Sequence, residues 1–292
     1  MFIKSGGIFL KKELLIGMVG TTLLLGACGN STENSDNEKN KDAKKVEEKK
    51  EVAFGELFNN GKRITYKLEN DDEQEHLTKN SDVTDYYVTD NGKITSYKAY
   101  DTTLKELNGK SDSEIIEMAK EQDKKYFEKS KKDTIEGLES NIEMAKKNLK
   151  TDEALGIYDE EHEKNKDSIT NNQKNIEVVQ KTKYEKPKER KVKIKAVEDE
   201  TGNYTDEERF FIVAHKFDYP DDDNKIKFVN DDDELSKYYI AFKKSAPTIK
   251  IYDDNYAFLM NEQDKYLATK VSDKAKVSTL DKLKSKYVTK ND

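Results

Sequence analysis

Two acidic runs in the last third of the chain, residues 221–223 and 231–234, bring several carboxylates close together in sequence. Carboxylate oxygens are the ligands that calcium prefers in proteins. The spacing does not match an EF-hand loop, and neither run contains the glycine that such a loop needs. Acidic runs of this kind also form solvated turns at the ends of strands. The candidate calcium ligands, set against that alternative, are Asp221, Asp223, Asp231 and Asp233.

The other residue types that could do chemistry are sparse. The three histidines, His76, His162 and His215, lie far apart in sequence. His162 is followed by a glutamate, as in His-Glu-x-x-His zinc proteases, but position 166 is a lysine, so the motif is incomplete. We interpret His215 as a packed, hydrogen-bonded residue rather than a metal ligand, because no second histidine or cysteine accompanies it. Because we find no phosphate-binding glycine loop and no Gly-x-Ser-x-Gly motif, we predict a non-enzymatic protein with no catalytic residue and no cofactor.

The single cysteine of the chain, Cys28, follows a segment typical of protein export. Lysines 4, 11 and 12 precede an apolar run over residues 14–25, and two small residues then lead to Cys28. The run is shorter than the roughly 20 residues that a membrane-spanning helix needs. A basic start, a short apolar segment and small residues at the end are the signature of an export signal. With one cysteine, the exported domain has no internal disulfide and must fold through its core.

The tetrapeptide Leu25-Gly26-Ala27-Cys28 resembles the lipobox of bacterial lipoproteins. The resemblance implies that residues 1–27 are a signal peptide removed by cleavage before Cys28. It also implies that Cys28 carries an S-diacylglyceryl group and an N-acyl chain, and two or more chains anchor a protein stably. The alternative is an ordinary secretory signal with a chance cysteine. The lysine-, asparagine- and aspartate-rich composition resembles that of exported Gram-positive proteins. We therefore expect a lipid anchor on the outer face of the cell membrane.

Residues 28–51 are polar and charged, and they are predicted to form a disordered tether. Between residues 30 and 51, Ala43 and Val46 are the only hydrophobic residues, and two are too few to offset the entropy lost when the segment becomes ordered. A charged single helix is the alternative. The formal net charge of −7 makes nucleic acid a poor partner.

The elements that must position any site are predicted to form one extracytoplasmic α+β domain over residues 52–292. Residues 52–110 read as two hairpins because Asn-Gly pairs at 60–61 and 91–92 favour tight turns. The first would pair Leu57 with Ile64. The second would pair Tyr86 with Tyr97 and Val88 with Thr95, and these tyrosines could pack or line a ligand surface.

Residues 111–183 show helical periodicity and are predicted to be an inserted helical hairpin. Ser111 and Glu114 form a capping box, and apolar residues then recur every three or four positions. Thr151 and Asp152 offer a second N-cap, so we predict helices over 112–149 and 152–183. One long helix is the alternative.

Residues 184–292 return to strand patterns and are predicted to end in a short helix over 279–287. A strand is expected over 192–196, an apolar central strand over 209–217 and a strand over 266–271. Between the last two, a hairpin turning at 254–255 would pair Ile249 with Met260. The whole is an antiparallel β meander interrupted by the helical hairpin. The meander forms either an open sheet or a small barrel.

These elements suit a surface lipoprotein that binds an unknown protein or small-molecule partner. We predict a protein-interaction module held to the membrane through lipidated Cys28. The alternatives are a small-ligand-binding lipoprotein with a barrel-like pocket and, ranked lowest, an importer solute-binding protein. A closed apolar pocket would favour ligand binding, whereas a filled core with an exposed groove on residues 112–183 would favour protein interaction.

Overall fold

The computed structural model describes residues 49–70, 76–219 and 225–291. These residues form the predicted α+β fold, and the main sheet is open. The leader, most of the tether, Asp221 and Asp223 lie outside the described residues. Glu51, the last residue of the predicted tether, already lies in a strand. Within the described ranges, no helix is long and apolar enough to cross a membrane.

The main sheet has seven strands in the order β12-β13-β14-β2-β3-β4-β5, and every neighbouring pair is antiparallel. Its end strands do not pair with each other, so the sheet is open and the barrel alternative is wrong. The chain enters this sheet three times, with β2–β4, with β5 and with β12–β14, and C-terminal β14 pairs with N-terminal β2. The strands are β2 (Lys62–Glu69), β3 (Asp82–Asp90), β4 (Lys93–Lys98), β5 (Arg190–Lys191), β12 (Ile249–Ile251), β13 (Asp254–Met260) and β14 (Lys265–Val271).

The two Asn-Gly turns have different outcomes. The β3–β4 hairpin is confirmed, since Tyr86 faces Tyr97 and Val88 faces Thr95. The first predicted hairpin is wrong: Glu51–Ala53 is a short strand, β1, and Phe54–Asn59 is a helix, α1. In the helix, Phe54, Leu57 and Phe58 share one buried face. Their spacing of three and four residues places all three on one face of a helix, whereas in a strand Leu57 would point away from the two phenylalanines.

Three smaller sheets complete the β structure: β1-β15-β11, β10-β7-β6-β16 and β8-β9. Two of their pairs, β1 with β15 and β16 with β6, are parallel, whereas the rest are antiparallel. The additional strands are β6 (Ile194–Glu198), β7 (Thr205–Phe210), β8 (Lys216–Asp218), β9 (Lys227–Val229), β10 (Ile240–Phe242), β11 (Ala246–Pro247), β15 (Val277–Thr279) and β16 (Thr289–Lys290).

The apolar segment 209–217 is not one strand, which corrects the prediction. β7 ends at Phe210, and β8 begins only at Lys216. Between them, side chains satisfy backbone carbonyls that a sheet partner would otherwise satisfy. Ser96 Oγ donates to the carbonyl of Ile212 at 2.8 Å, and the Arg190 guanidinium donates to the next carbonyl.

Two C-terminal predictions are also corrected. The β12–β13 hairpin turns at residues 252–253, and Ile249 faces Tyr256 instead of Met260. Because this slip is an even number of residues, the same side chains stay on the same face, and alternation alone does not detect it. The predicted helix over 279–287 is absent, and Asp281 is held instead by hydrogen bonds with Gly55 and Glu208.

The inserted segment is a pair of helices, α3 (Asp112–Leu155) and α4 (Glu160–Lys181), as predicted. The Ser111–Glu114 capping box is present. α3 runs past the predicted break at residues 151–152 and ends at Gly156, which has φ 69°. Asp159 then caps α4. Two short helices, α2 (Leu104–Leu107) and α5 (Asp232–Leu235), complete the fold.

The main sheet is buried on both faces. Adjacent Tyr86 and Tyr87 point to opposite sides and belong to different hydrophobic clusters. One cluster joins the sheet to α1 and to the sheet that contains β7, through residues such as Phe210. The other lies under α2 and the start of α3, where Ile115 is fully buried. The sheet faces are therefore filled by side chains.

Candidate functional site

The predicted site residues are only partly described. Cys28, Asp221 and Asp223 lie outside the described residues. Asp231 caps α5 by accepting the Glu234 N–H at 2.9 Å, and Asp233 is exposed. Within the described ranges, no three His, Cys, Asp or Glu residues are placed to hold a metal ion. The calcium site therefore stays a prediction.

A buried Asp–His pair links α3 to the segment that follows β7. Asp123 and His215 are almost completely buried, and Asp123 Oδ1 lies 2.9 Å from His215 Nε2. Asp123 Oδ1 also accepts the Lys98 N–H at 2.6 Å, and its Oδ2 accepts the Tyr184 hydroxyl at 2.8 Å. Asp123 itself lies in α3, and its three partners come from β4 and from two loops. Its carboxylate therefore joins four parts of the chain.

A small pocket lies beside His215. It has a volume of about 160 Å³ and is formed by residues 187–190, 213–215 and 230–232, together with Ser96 and Leu235. We call it the Arg190 pocket. All of its lining residues are described.

Arg190 is the most unusual residue of this pocket, because its guanidinium is buried with incomplete hydrogen bonding. The residue is 8% exposed. Its Nη2 donates to the Val213 carbonyl and lies 3.5 Å from Ser96 Oγ. Its Nη1 has no hydrogen-bond partner, and Asp232 Oδ1 is 4.0 Å away. Burial lowers the pKa of Arg190, and the Asp232 carboxylate opposes that shift.

Ser96 and His215 both line the pocket, and His215 is paired with Asp123 behind it, so the side-chain types of a hydrolase triad are present. In such triads the serine hydroxyl donates to the histidine, which then acts as a base. Here the Ser96 hydroxyl donates to the carbonyl of Ile212 at 2.8 Å. Its proton is directed away from His215, so this arrangement does not activate Ser96 as a nucleophile.

Comparison with known protein families, curated proteins and solved structures found no match for this chain. The function is therefore argued from the sequence and the geometry of the described residues. Sequence reasoning missed the Arg190 pocket because it took Arg190 as part of a basic run that follows the second helix. One signal was present: Arg190 is one of only three arginines among 53 basic residues. Arginine is favoured over lysine where a planar fork of donors is needed.

A larger groove of about 570 Å³ lies on the helical hairpin. We call it the asparagine groove, since four of its lining residues are asparagines. Its walls come from α3, α4 and the loop after β8, and they carry amides, one hydroxyl, one phenol and one charge of each sign. The lining residues are Asn141, Lys164, Asp167, Ser168, Asn171, Asn172, Asn175 and Tyr219.

The turn between α3 and α4 exposes apolar side chains. Leu155 is 68% exposed and Tyr158 is 69% exposed, with Ile157 between them at 39%. Single exposed apolar residues are common on protein surfaces, but three within four positions form a local apolar tip. On α4, the first residue that lines the asparagine groove is Lys164, about one helical turn after the helix begins next to this tip.

Proposed function

We propose that this protein is a lipid-anchored, non-enzymatic surface protein that binds a partner protein through its helical hairpin. The lipobox at residues 25–28 supports the anchor, and Cys28 is the proposed site of acylation. The asparagine groove is the observation that carries the binding proposal. On this proposal, the lipid chains on Cys28 contact the membrane and the helical hairpin contacts a partner protein.

The filled core supports a surface interaction over a barrel-like pocket. Both faces of the main sheet pack against other elements, and the sheet is open. The hairpin, in contrast, offers a groove of about 570 Å³ between α3, α4 and the loop after β8. α3 alone has 44 residues, which corresponds to a length of about 66 Å. A long hairpin gives a partner an extended surface away from the core.

The chemistry of the groove suits a polar polypeptide segment. An asparagine amide both donates and accepts hydrogen bonds, as the peptide groups of a bound chain require. Asn172 already donates to Ser168, and Asn175 already accepts the Ile226 N–H, so Asn141 and Asn171 are the amides offered to a partner. Lys164 and Asp167 add one charge of each sign. The apolar tip at Leu155, Ile157 and Tyr158 adds a contact where aromatic and aliphatic anchors are effective.

Site-specific photo-crosslinking on intact cells tests the groove. A crosslinking residue at Asn171, which lines the groove, should capture a partner protein in one defined product. The matched control is a crosslinker at Glu143, which is exposed on α3 but does not line the groove. Equal capture at both positions, or none at Asn171, would contradict partner binding in the groove.

The anchor is tested separately by metabolic labelling with a fatty acid. The wild-type chain should incorporate the label, and a Cys28→Ser chain should not, because serine removes the thiol that forms the thioether. A Ser31→Ala chain, altered close to the same site, should label like the wild type. Labelling of the Cys28→Ser chain at the wild-type level would rule out acylation at Cys28.

A further inference from the structure

The Arg190 pocket contains a hydrogen-bond donor without an acceptor. Arg190 Nη1 is buried and unpartnered, while Nη2 is fully used by the protein. A buried guanidinium with a free donor is costly unless an anion or another acceptor completes it. A carboxylate is a good match, because its oxygens accept charge-assisted hydrogen bonds from arginine.

The rim of the same pocket carries the opposite charge. Asp231 and Asp232 both line it, and the Asp232 side chain is 65% exposed. Asp231 uses Oδ1 to cap α5, and Glu189 is paired with Lys93 at 2.7 Å. A ligand in this pocket therefore meets a buried positive charge at Arg190 and a negative charge at the rim.

The volume limits the ligand to a small molecule. A pocket of about 160 Å³ equals the liquid volume of roughly five water molecules. Drug-sized ligands need pockets of at least about 300 Å³. A molecule of five to seven heavy atoms, such as a glycine- or alanine-sized amino acid, is the scale that fits.

A ligand reaches Arg190 Nη1 only if a neighbouring side chain moves, and Asp232 carries the charged group that faces it. Nη1 is closed off from solvent, and the Asp232 carboxylate stands 4.0 Å from it without a hydrogen bond. Asp232 is mostly exposed, so its side chain has room to turn outward. A ligand that reaches Nη1 requires a movement of this kind, which would keep the Asp232 carboxylate at the pocket that both residues line.

We propose that the Arg190 pocket binds a small amino-acid zwitterion, with its carboxylate on Arg190 Nη1 and its ammonium group beside Asp232. The carboxylate completes the buried guanidinium, and the ammonium group replaces the weak contact that Asp232 makes with Arg190. This site shares no lining residue with the asparagine groove. A negative result for amino-acid binding therefore leaves the proposal of partner binding in the groove unaffected, and the reverse also holds.

Titration calorimetry on the full chain in a non-ionic detergent tests the proposal. The probes are glycine, acetate and methylammonium, which separate the zwitterion from its two charged halves. Glycine should bind at least about tenfold more tightly than acetate, and methylammonium should not bind. No heat with glycine at concentrations up to about 50 mM would overturn the proposal, as would equal affinities for glycine and acetate.

Two neighbouring aspartates give a matched pair of variants. Asp232→Asn should weaken glycine binding about tenfold and strengthen acetate binding, since it removes a carboxylate that favours an ammonium group and repels an anion. Asp233→Asn changes an exposed residue of the same helix that does not line the pocket, and it should change neither affinity. Equal effects of the two variants would overturn the proposal.

The Arg190→Met variant is a second test, because it removes the guanidinium that would bind the carboxylate. It should abolish binding of glycine and acetate, with folding checked by circular dichroism. If this variant unfolds, the Asp232→Asn and Asp233→Asn pair still decides the question, because both changes lie on an exposed surface. Glycine binding by a folded Arg190→Met chain at wild-type affinity would overturn the proposal.

Discussion

His215 Nε2 lies 2.9 Å from Asp123 Oδ1, and both residues are buried between the start of the helical hairpin and the β structure. Asp123 also accepts hydrogen bonds from the Lys98 N–H and the Tyr184 hydroxyl. The pair therefore anchors α3 to β4 and positions His215 in the wall of the Arg190 pocket. One carboxylate thus joins the insertion to the wall of the pocket.

Asp123→Ala should destabilise the protein by about 3 kcal/mol or more. The change removes three hydrogen bonds to a charged acceptor and leaves buried donors unpaired, and each such loss costs about 1.5–3 kcal/mol. Urea unfolding followed by circular dichroism measures the difference. Lys124→Ala, at the exposed neighbouring position, should stay within about 0.5 kcal/mol of the wild type. A loss below about 1 kcal/mol for Asp123→Ala would show that the pair contributes little.

Gly55→Ala and Gly137→Ala should have opposite effects, although both glycines lie in helices. At Gly55 a Cβ atom would lie 2.6 Å from Asp281 Oδ2, which accepts the Gly55 N–H at 2.7 Å. At Gly137, within α3, a Cβ atom would meet nothing within 4 Å. We expect a loss of about 1–3 kcal/mol at Gly55 from overpacking and a gain of about 0.5–1 kcal/mol at Gly137 from helix propensity. Urea midpoints of the two variants check this, and a stabilised Gly55→Ala chain would contradict the close contact.

Glu208 should make the protein less stable as the pH rises. The residue is buried, and burial together with the charge of Asp281 holds the pKa of Glu208 well above its usual range. A raised folded-state pKa gives stability that is complete below the unfolded pKa of about 4.3 and is lost as the pH rises through the folded pKa. Glu208→Gln should therefore gain stability relative to the wild type between about pH 5 and pH 8, by at most about 1.4 kcal/mol per pH unit. Urea midpoints across that range measure the gain.

The matched control for this pH effect is Glu121→Gln, the same change at an exposed position on α3. Its difference from the wild type should not vary with pH over the same range. If Glu208→Gln also keeps a constant difference from the wild type, then the buried carboxyl does not set the pH dependence.

The sequence predicted elements well where local chemistry and burial agree. The β3–β4 hairpin has an Asn-Gly turn, alternating residues and a tyrosine pair, and Tyr86 faces Tyr97 as expected. The capping box at Ser111 likewise gave the start of α3. The Asn-Gly pair at 60–61 led to a wrong hairpin prediction, because the apolar residues at 54–58 have helical spacing. Phe54 and Phe58 in that helix pack against Phe210 from a distant strand, which favours the helix.

The parts that could not be predicted depend on contacts between distant residues. The break after Phe210 is stabilised by Ser96 and Arg190, which lie more than 20 residues away in sequence. Composition and periodicity do not report such side-chain-to-backbone hydrogen bonds. The Arg190 pocket has the same origin, because its lining comes from β4, the approach to β5 and the loops before α5.

The seam between α3 and α4 changes character along its length. Near the base, Leu138 and Val179 are buried in a hydrophobic cluster. Toward the tip, the buried α4 residues are His162 and Asn165. Asn165 accepts a hydrogen bond of 3.4 Å from Asn148. His162 Nδ1 makes no hydrogen bond, although Asp152 Oδ2 lies 3.5 Å from it. Partly satisfied polar contacts hold a seam weakly, so we infer that the tip of the hairpin opens before its base.

Hydrogen exchange measures the difference in opening between the tip and the base of the hairpin. Backbone amides of residues 145–170 should exchange faster than those near Leu138 and Val179, because regions with fewer apolar contacts open more readily. Asn165→Leu should slow exchange at the tip by replacing a poorly bonded buried amide with an apolar side chain. Lys166→Leu places the same side chain at the exposed neighbouring position and should leave tip exchange unchanged. Equal protection at tip and base in the wild type, or slowing by Lys166→Leu as large as by Asn165→Leu, would show that the polar seam does not control opening of the hairpin.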